Sequence, residues 1–164
     1  MSRCLIIDGY NAISKIRKLE AKKDISLEAS RMHFINILMN FTSQKRIFDK
    51  VFIVFDSKSK ELGVRKESYG DIEVLFTMHD RDADSVIVDL LREAPPGDII
   101  SVASDDNFVR NHTRVYGQNV ISISELENII MLKKKAPGGK IKDKHLENNK
   151  IRDINEELKK HWRL

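Results

Sequence analysis

Short apolar runs punctuate the chain, and the strongest of them end abruptly in carboxylates. Residues 4–7, Cys-Leu-Ile-Ile, run into Asp8-Gly9-Tyr10-Asn11; residues 51–55, Val-Phe-Ile-Val-Phe, run into Asp56; residues 99–103, after Asp98, run into Ser104-Asp105-Asp106. A continuous apolar run of this kind marks a strand buried on both faces of a parallel sheet. Residues 71–76 predict a further strand, with Ile72, Val74 and Phe76 alternating with Glu73 and Leu75, and residues 119–123 predict a short last one. Helical patterns fill the gaps. Residues 12–22 have helical composition. Asp24 and Ser26 are start signals for a helix from residue 27 to about residue 45, with Leu27, Phe34, Ile35, Leu38, Met39 and Phe41 on one stripe and His33 beside it as a structural or surface histidine. Asp82 caps a helix that buries Ala83, Ile87, Leu90 and Leu91 and stops at Pro95-Pro96-Gly97. Ser104 or Asp105 caps the next, with Phe108 and Val109 inward and Gly117 closing it. Ser124-Glu125-Leu126-Glu127 reads as a capping box that opens a last helix, to about residue 135.

Strands alternating with helices predict the α/β class: a three-layer α/β/α domain with a mainly parallel sheet of about five strands. Right-handed crossovers bring parallel strand ends to one edge. Asp8, Asp56 and Asp105 are therefore expected as neighbours there, joined by Asp84 from a helix start. Open α/β sheets place their chemistry at that edge. Gly9 is expected to let the backbone turn sharply after the first strand, and Asn11 to reach back to the same point. The plainer reading of Asp8 is a helix cap. Residues 1–135 are expected to form one domain. Residues 136–164, opening on Ala136-Pro137-Gly138-Gly139, are expected to form a linker and a basic helical tail, with Ile151, Ile154, Leu158 and Trp162 on one helical face.

The 164 residues are 41% hydrophobic and 33% charged, a globular composition with room for a core. No apolar run approaches the ~18 residues of a membrane helix. The chain opens directly on its first strand with no secretory leader, so a cytoplasmic location is expected. Cys4 is the single cysteine and lies inside a strand, which excludes a disulfide framework. The net charge of +4 is unevenly placed: residues 133–164 hold 11 Lys/Arg against 5 Asp/Glu, a net of +6, which leaves the rest at −2. A basic tail favours a polyanion such as RNA, and a solvated helix that aids solubility is the plain alternative. Residues 57–65 read as a polar loop at the active edge. Lys58, Lys60, Arg65 and Lys66, in and beside it, are candidates for contact with RNA phosphates, against the plain reading of a solvated loop.

Carboxylates crowded at one edge repel one another, and a divalent cation removes the conflict. Hard oxygen ligands suit Mg²⁺ or Mn²⁺. Zinc wants Cys and His in register, which one Cys and five scattered His do not supply. A cation so held polarises a phosphate oxygen and activates a water, so phosphodiester hydrolysis is the expected chemistry. Neither G-x-x-x-x-G-K-S/T nor G-x-G-x-x-G occurs, which argues against an NTPase or a dinucleotide enzyme, and no G-x-S-x-G elbow is present.

Several of these stretches fall in a familiar order: residues 5–13 (Leu-Ile-Ile-Asp-Gly-Tyr-Asn-Ala-Ile), 54–56 (Val-Phe-Asp), Phe76-Thr77, 83–87 (Ala-Asp-Ser-Val-Ile), Ser104-Asp105-Asp106 and 121–126 (Ile-Ser-Ile-Ser-Glu-Leu). From residue 3 to about residue 130 the chain resembles the YacP-like NYN-domain family, in the wider PIN-like nuclease group. The resemblance implies a metal-dependent endoribonuclease that hydrolyses RNA phosphodiester bonds in mRNA decay or RNA processing. It implies Asp8, Asp84 and Asp105 as ligands of Mg²⁺ or Mn²⁺, Asn11 as the residue that positions a ligand or water, and Asp106 as an auxiliary carboxylate. The implied partners are single-stranded mRNA and the ribosome. Two positions depart from the family's pattern: Asp82 stands where Thr is usual and adds negative charge, and Val88 stands where an acidic residue is frequent. Rival readings are a non-catalytic RNA- or ribosome-binding module on the same fold and another Mg²⁺-dependent phosphotransfer enzyme.

Overall fold

A computed structural model of the chain describes residues 1–16, 26–59 and 62–131, with the backbone alone at Lys58 and Ser59. In chain order these residues form β1 (Arg3–Asp8), α1 (Gly9–Lys15), α2 (Leu27–Gln44), β2 (Lys50–Ser59), β3 (Val64–Tyr69), β4 (Ile72–Met78), α3 (Ala83–Glu93), β5 (Ile99–Ala103), α4 (Asn107–Val115), β6 (Asn119–Ile121) and α5 (Ile123–Met131). The strands make one sheet in the order β3-β4-β2-β1-β5-β6, parallel throughout except for the antiparallel pair β3–β4. The expected three-layer α/β/α fold is thus present. The proposed linker and tail, residues 136–164, lie outside the described residues, as does Lys60.

Side-chain alternation in β1 sets the layers. Leu5 and Ile7 join α1, α2 and α5 in one core, with Phe34, Leu38, Phe41, Ile53, Phe55 and Leu126 among its members. Cys4 and Ile6 face the other way and pack with Val86, Ile87 and Leu91 of α3 and Val109 of α4. β1 is therefore buried on both faces, and Leu5 to Ile7 are at most 1% exposed.

Four local expectations need correction. The sheet has a sixth strand, β3, where a polar loop is expected to run on to Arg65, and β2 continues past Asp56 to Ser59. As an edge strand β3 keeps Val64, Arg65 and Lys66 exposed, so no apolar alternation announces it. Its turn is legible in retrospect: Tyr69 faces Ile72 across Gly70-Asp71, with Gly70 at φ 62°. In α2, Leu27 and Met39 are about 40% exposed and Ile37 is buried instead. Phe108 is 50% exposed while Val109 is fully buried. Lastly, the cap of α4 is Asp106, which accepts from Val109 N at 3.1 Å, and the cap before α5 is Ser122, which accepts from Glu125 N at 3.0 Å. The caps Ser26 and Asp82 stand where expected, accepting from Ala29 N at 2.9 Å and Ser85 N at 2.7 Å.

Gly9 also has a reason other than the expected one. Its backbone is not left-handed. A Cβ there would lie 2.4 Å from Phe55 Cε1 and 2.9 Å from Val54 O. α1 starts pressed against β2, and only a residue without a side chain fits. Gly9→Ala is expected to destabilise the fold by about 1–3 kcal/mol through overpacking, read as a lower urea midpoint with an unchanged slope.

Candidate active site

The chain leaves β1 first toward β2 and β4, and later toward β5 and β6. The carboxyl ends of β1 and β5 therefore flank a topological switch point, where open α/β sheets bind ligands. Asp8 ends β1, Ser104 to Asp106 follow β5, Asp56 lies in β2, and Asp82 and Asp84 stand at the start of α3. A cleft of about 360 Å³ opens there, lined by Asp8, Tyr10, Asn11, Ser14, Asp56, Asp82, Ala83 and Asp84.

Asp8 is the strained member. Burial raises its pKa, and the charges of Asp84 and Asp106 raise it further. A hydrogen bond from Ser104 Oγ to Asp8 Oδ2 at 3.1 Å and one from the Asn11 N–H pull the other way. The balance leaves Asp8 at about 6 against an ordinary 3.8. Asp84 is raised too, by burial first and then by Asp106, Asp82 and Asp56. Asp8, Asp84 and Asp106 thus form one repelling group.

Asp105, the other carboxylate expected to bind metal, is committed elsewhere. Its Oδ2 accepts from Lys15 Nζ at 2.9 Å and its Oδ1 from Ile123 N at 3.1 Å. Burial pushes its carboxyl up, but these bonds outweigh burial and hold it below the ordinary value. The charge that acts on both Asp8 and Asp84 is that of Asp106, whose Oδ1 also caps α4; neither Asp105 nor Asp106 lines the cleft. Asn11 lines the cleft, and its Oδ1 accepts from Asp105 N at 3.1 Å, which ties α1 to the turn after β5. Of the basic candidates, Lys66 pairs with Glu73 at 3.1 Å. Arg65 lies with its guanidinium 4.5 Å from the Phe76 ring centre, opposite Phe76 near the carboxyl edge.

Several contributors escape a reading of the sequence. Ser104 is fully buried, donates to Asp8 and accepts from Asp106 N at 3.1 Å, so one hydroxyl ties the Asp8 carboxylate to the main chain of the turn after β5. In sequence it looks only like a helix cap. Thr77, also fully buried, donates to Asp56 Oδ1 at 3.2 Å and accepts from Ser57 N at 3.1 Å. Tyr10 rests on Phe55, with ring centres 5.0 Å apart, and its hydroxyl accepts from Arg31 Nη1 at 2.9 Å.

The donor set is chemically right for a hard divalent cation. Among the described residues no three His, Cys, Asp or Glu side chains converge as a closed metal cage. Mg²⁺ does not need one: it typically takes one or two carboxylates and completes its shell with waters and substrate phosphates. The residues present therefore fit an open site.

Fold and site together define a three-layer α/β/α domain with an acidic cleft at the carboxyl edge of a mainly parallel sheet. The chain belongs to the YacP-like NYN domain family, whose sequence profile matches residues 5–163. Two solved structures share the fold. The crystal structure of a single-substitution mutant of Rae1 (YacP) from Bacillus subtilis aligns with a TM-score of 0.66 at 23% identity, over 98% of this chain and 92% of that one. A crystal structure of Rae1 (YacP) from the same organism aligns with a TM-score of 0.65 at 25% identity, over 94% of this chain and 82% of that one. No curated protein sequence matches significantly. No helix among the described residues is long and apolar enough to cross a membrane.

The raised Asp8 makes a stability prediction. Asp8 binds its proton more tightly in the folded chain than in the unfolded one, so the proton's contribution to stability is complete below pH 3.8 and is lost as pH rises through about 6. Asp8→Asn is expected to stabilise the metal-free protein at pH 7 by on the order of 1–3 kcal/mol, with the gain vanishing near pH 4. Urea melts of both proteins across this range measure it. A loss of stability at pH 7 would show that Asp8 is held by favourable contacts instead.

Proposed function

We propose that the chain is a Mg²⁺- or Mn²⁺-dependent endoribonuclease that hydrolyses phosphodiester bonds of single-stranded RNA, in mRNA decay or RNA processing. The observation that carries the reading is the mutual repulsion of Asp8, Asp84 and Asp106 at the sheet's switch point. Asp8 and Asp84 would hold the cation, with Asp106 in the place expected of Asp105. When bound, the cation supplies polarisation of a phosphate oxygen and a more acidic water.

The chain's own residues do the rest. Ser104 holds the Asp8 carboxylate in place, and Asn11 fixes the turn that presents Asp106. Asp105 serves as a positioning residue, anchoring Lys15 beside the cleft. Lys15, with its side chain 49% exposed, and Arg65, 56% exposed, offer positive charge to an RNA backbone on either side of the acidic centre. Lys58, Lys60 and Lys66 extend the same proposal. The ribosome as the place of action and a cytoplasmic location belong to it as well; the net +6 of residues 133–164 supports a polyanionic partner.

The test is incubation of the full chain with a single-stranded RNA oligonucleotide, with Mg²⁺, with Mn²⁺ and with chelator. Internal cleavage is expected with either metal and none with chelator. Asp8→Asn and Asp106→Asn should each lower the rate by roughly 100-fold or more while the protein stays folded. RNA left intact under both metals, with binding unaffected by Asp8→Asn, would establish the non-catalytic binding module instead.

The same site predicts a pH profile. A metal-binding carboxylate must lose its proton. Cleavage at limiting Mg²⁺ should therefore fall about tenfold per pH unit below the Asp8 value of about 6. Ser104→Ala should move the break to higher pH, because the Ser104 hydrogen bond favours the charged carboxylate. A profile flat from pH 5 to 8 would contradict the assignment of Asp8.

A further inference from the structure

On the β3 side of the acidic cleft, aromatic rings and a guanidinium form a continuous row across the sheet. Phe55 faces Phe76 between β2 and β4, and Arg65 faces Phe76 between β3 and β4. Directly opposed residues share a face of the sheet, so the three side chains lie side by side. The Phe55 and Phe76 rings stack with centres 5.6 Å apart, and Tyr10 continues the row from Phe55 at 5.0 Å. Tyr10 itself lines the cleft with Asp8 and Asp84. The row therefore runs from the exposed edge strand to the acidic centre.

Arg31, in the second turn of α2, spans this row. Its guanidinium lies 6.0 Å from the Phe55 ring centre and 5.4 Å from that of Phe76, and its Nη1 donates to the Tyr10 hydroxyl at 2.9 Å. Arg65 reaches the same Phe76 ring at 4.5 Å. Rings and a hydroxyl orient a guanidinium without neutralising it. The Tyr10 bond uses one of the five N–H donors of Arg31. Among the described residues no carboxylate pairs with Arg31, and Arg65 meets Glu67 only at 3.8 Å, with both side chains exposed. A surface pair of that kind contributes little. Two cations thus converge on one ring, and an anion is the group that would satisfy both.

We propose that Arg31 and Arg65 form a phosphate subsite that holds the RNA backbone beside the acidic centre, with Tyr10 as the positioning residue between the two. The substrate class rests on the nuclease reading; the subsite adds the side on which the strand leaves the cleft, over β4 toward β3. A guanidinium fork matches phosphate oxygens in geometry as well as charge. Repulsion at the cleft and attraction at the row together fix where a strand can lie.

Binding of a fluorescein-labelled single-stranded RNA oligonucleotide to the full chain, in chelator and over a range of salt, tests the subsite without cleavage. Loss of one phosphate contact to a single strand lowers the log–log salt slope by about 0.7. Arg31→Gln is expected to lower the slope by about that amount. Arg65→Gln changes an exposed residue, should lower the slope as well, and decides alone should Arg31→Gln fail to fold. Tyr10→Phe removes the hydroxyl to which Arg31 donates and should keep the wild-type slope. Slopes unchanged in both arginine variants would overturn the subsite. So would a Tyr10→Phe slope equal to that of Arg31→Gln, which would make Arg31 only a support for Tyr10. RNA bound with the expected slopes yet left intact under Mg²⁺ and Mn²⁺ would overturn the nuclease reading and leave the subsite standing.

Discussion

Asp8 stands at the end of the central strand, half-buried, with two further carboxylates acting on it. A charge there is disfavoured by poor solvation and by repulsion, and the surrounding structure is arranged around that conflict. Gly9 lets α1 start hard against Phe55, which keeps the Asn11 N–H at the carboxylate. The Ser104 hydroxyl reaches it from β5. Both bonds favour the ionised form, yet burial and repulsion still prevail. The fold thus holds a carboxylate whose ionised form is disfavoured where it stands and would be favoured by added positive charge. A cation or the counter-charge of a basic side chain can supply it, and Lys15 already does so for Asp105.

That contrast between adjacent aspartates shows what a sequence can and cannot tell. Asp8, Asp56 and Asp84 were legible because an apolar run that stops at a carboxylate places it at a strand end, and parallel topology gathers strand ends. Asp105 and Asp106 were legible as a pair, but not in their contacts: Asp105 meets Lys15 and Ile123 N, and Asp106 caps α4. Which of two consecutive residues in a turn caps the following helix depends on the local backbone, and no periodicity runs through a turn. Ser104 was visible only as a cap because its partner, Asp8, is 96 residues away. The general fold was clear from the alternation of elements. β3 was hidden because a charged edge strand needs no buried face, and because Gly70-Asp71, its turn, follows residues that otherwise read as loop. Gly9 matters for its missing Cβ rather than for a turn, and that can be seen only with Phe55 in place.

The two ends of the sheet divide the labour. The carboxyl edge holds negative charge that the fold leaves partly uncompensated. Arg31, which donates to Tyr10 and lies 5.4 Å from the Phe76 ring centre, and Lys15 on Asp105 place cations beside it without filling the cleft. A phosphate backbone meeting such a rim would find attraction at the sides and repulsion in the middle, relieved when a cation occupies the middle. The amino edge instead offers apolar surface bordered by Asp49, Glu93 and Asp98.

The account rests on the state of Asp8, and the most direct measurement is its titration by NMR through the side-chain carboxyl carbon, with and without Mg²⁺. The account predicts a midpoint near 6 in the metal-free protein, a lower midpoint in Asp106→Asn as one repelling charge is removed, and a downward shift of about one unit or more when Mg²⁺ is added. An ordinary carboxylate midpoint near 3.8, indifferent both to Asp106→Asn and to Mg²⁺, would contradict it.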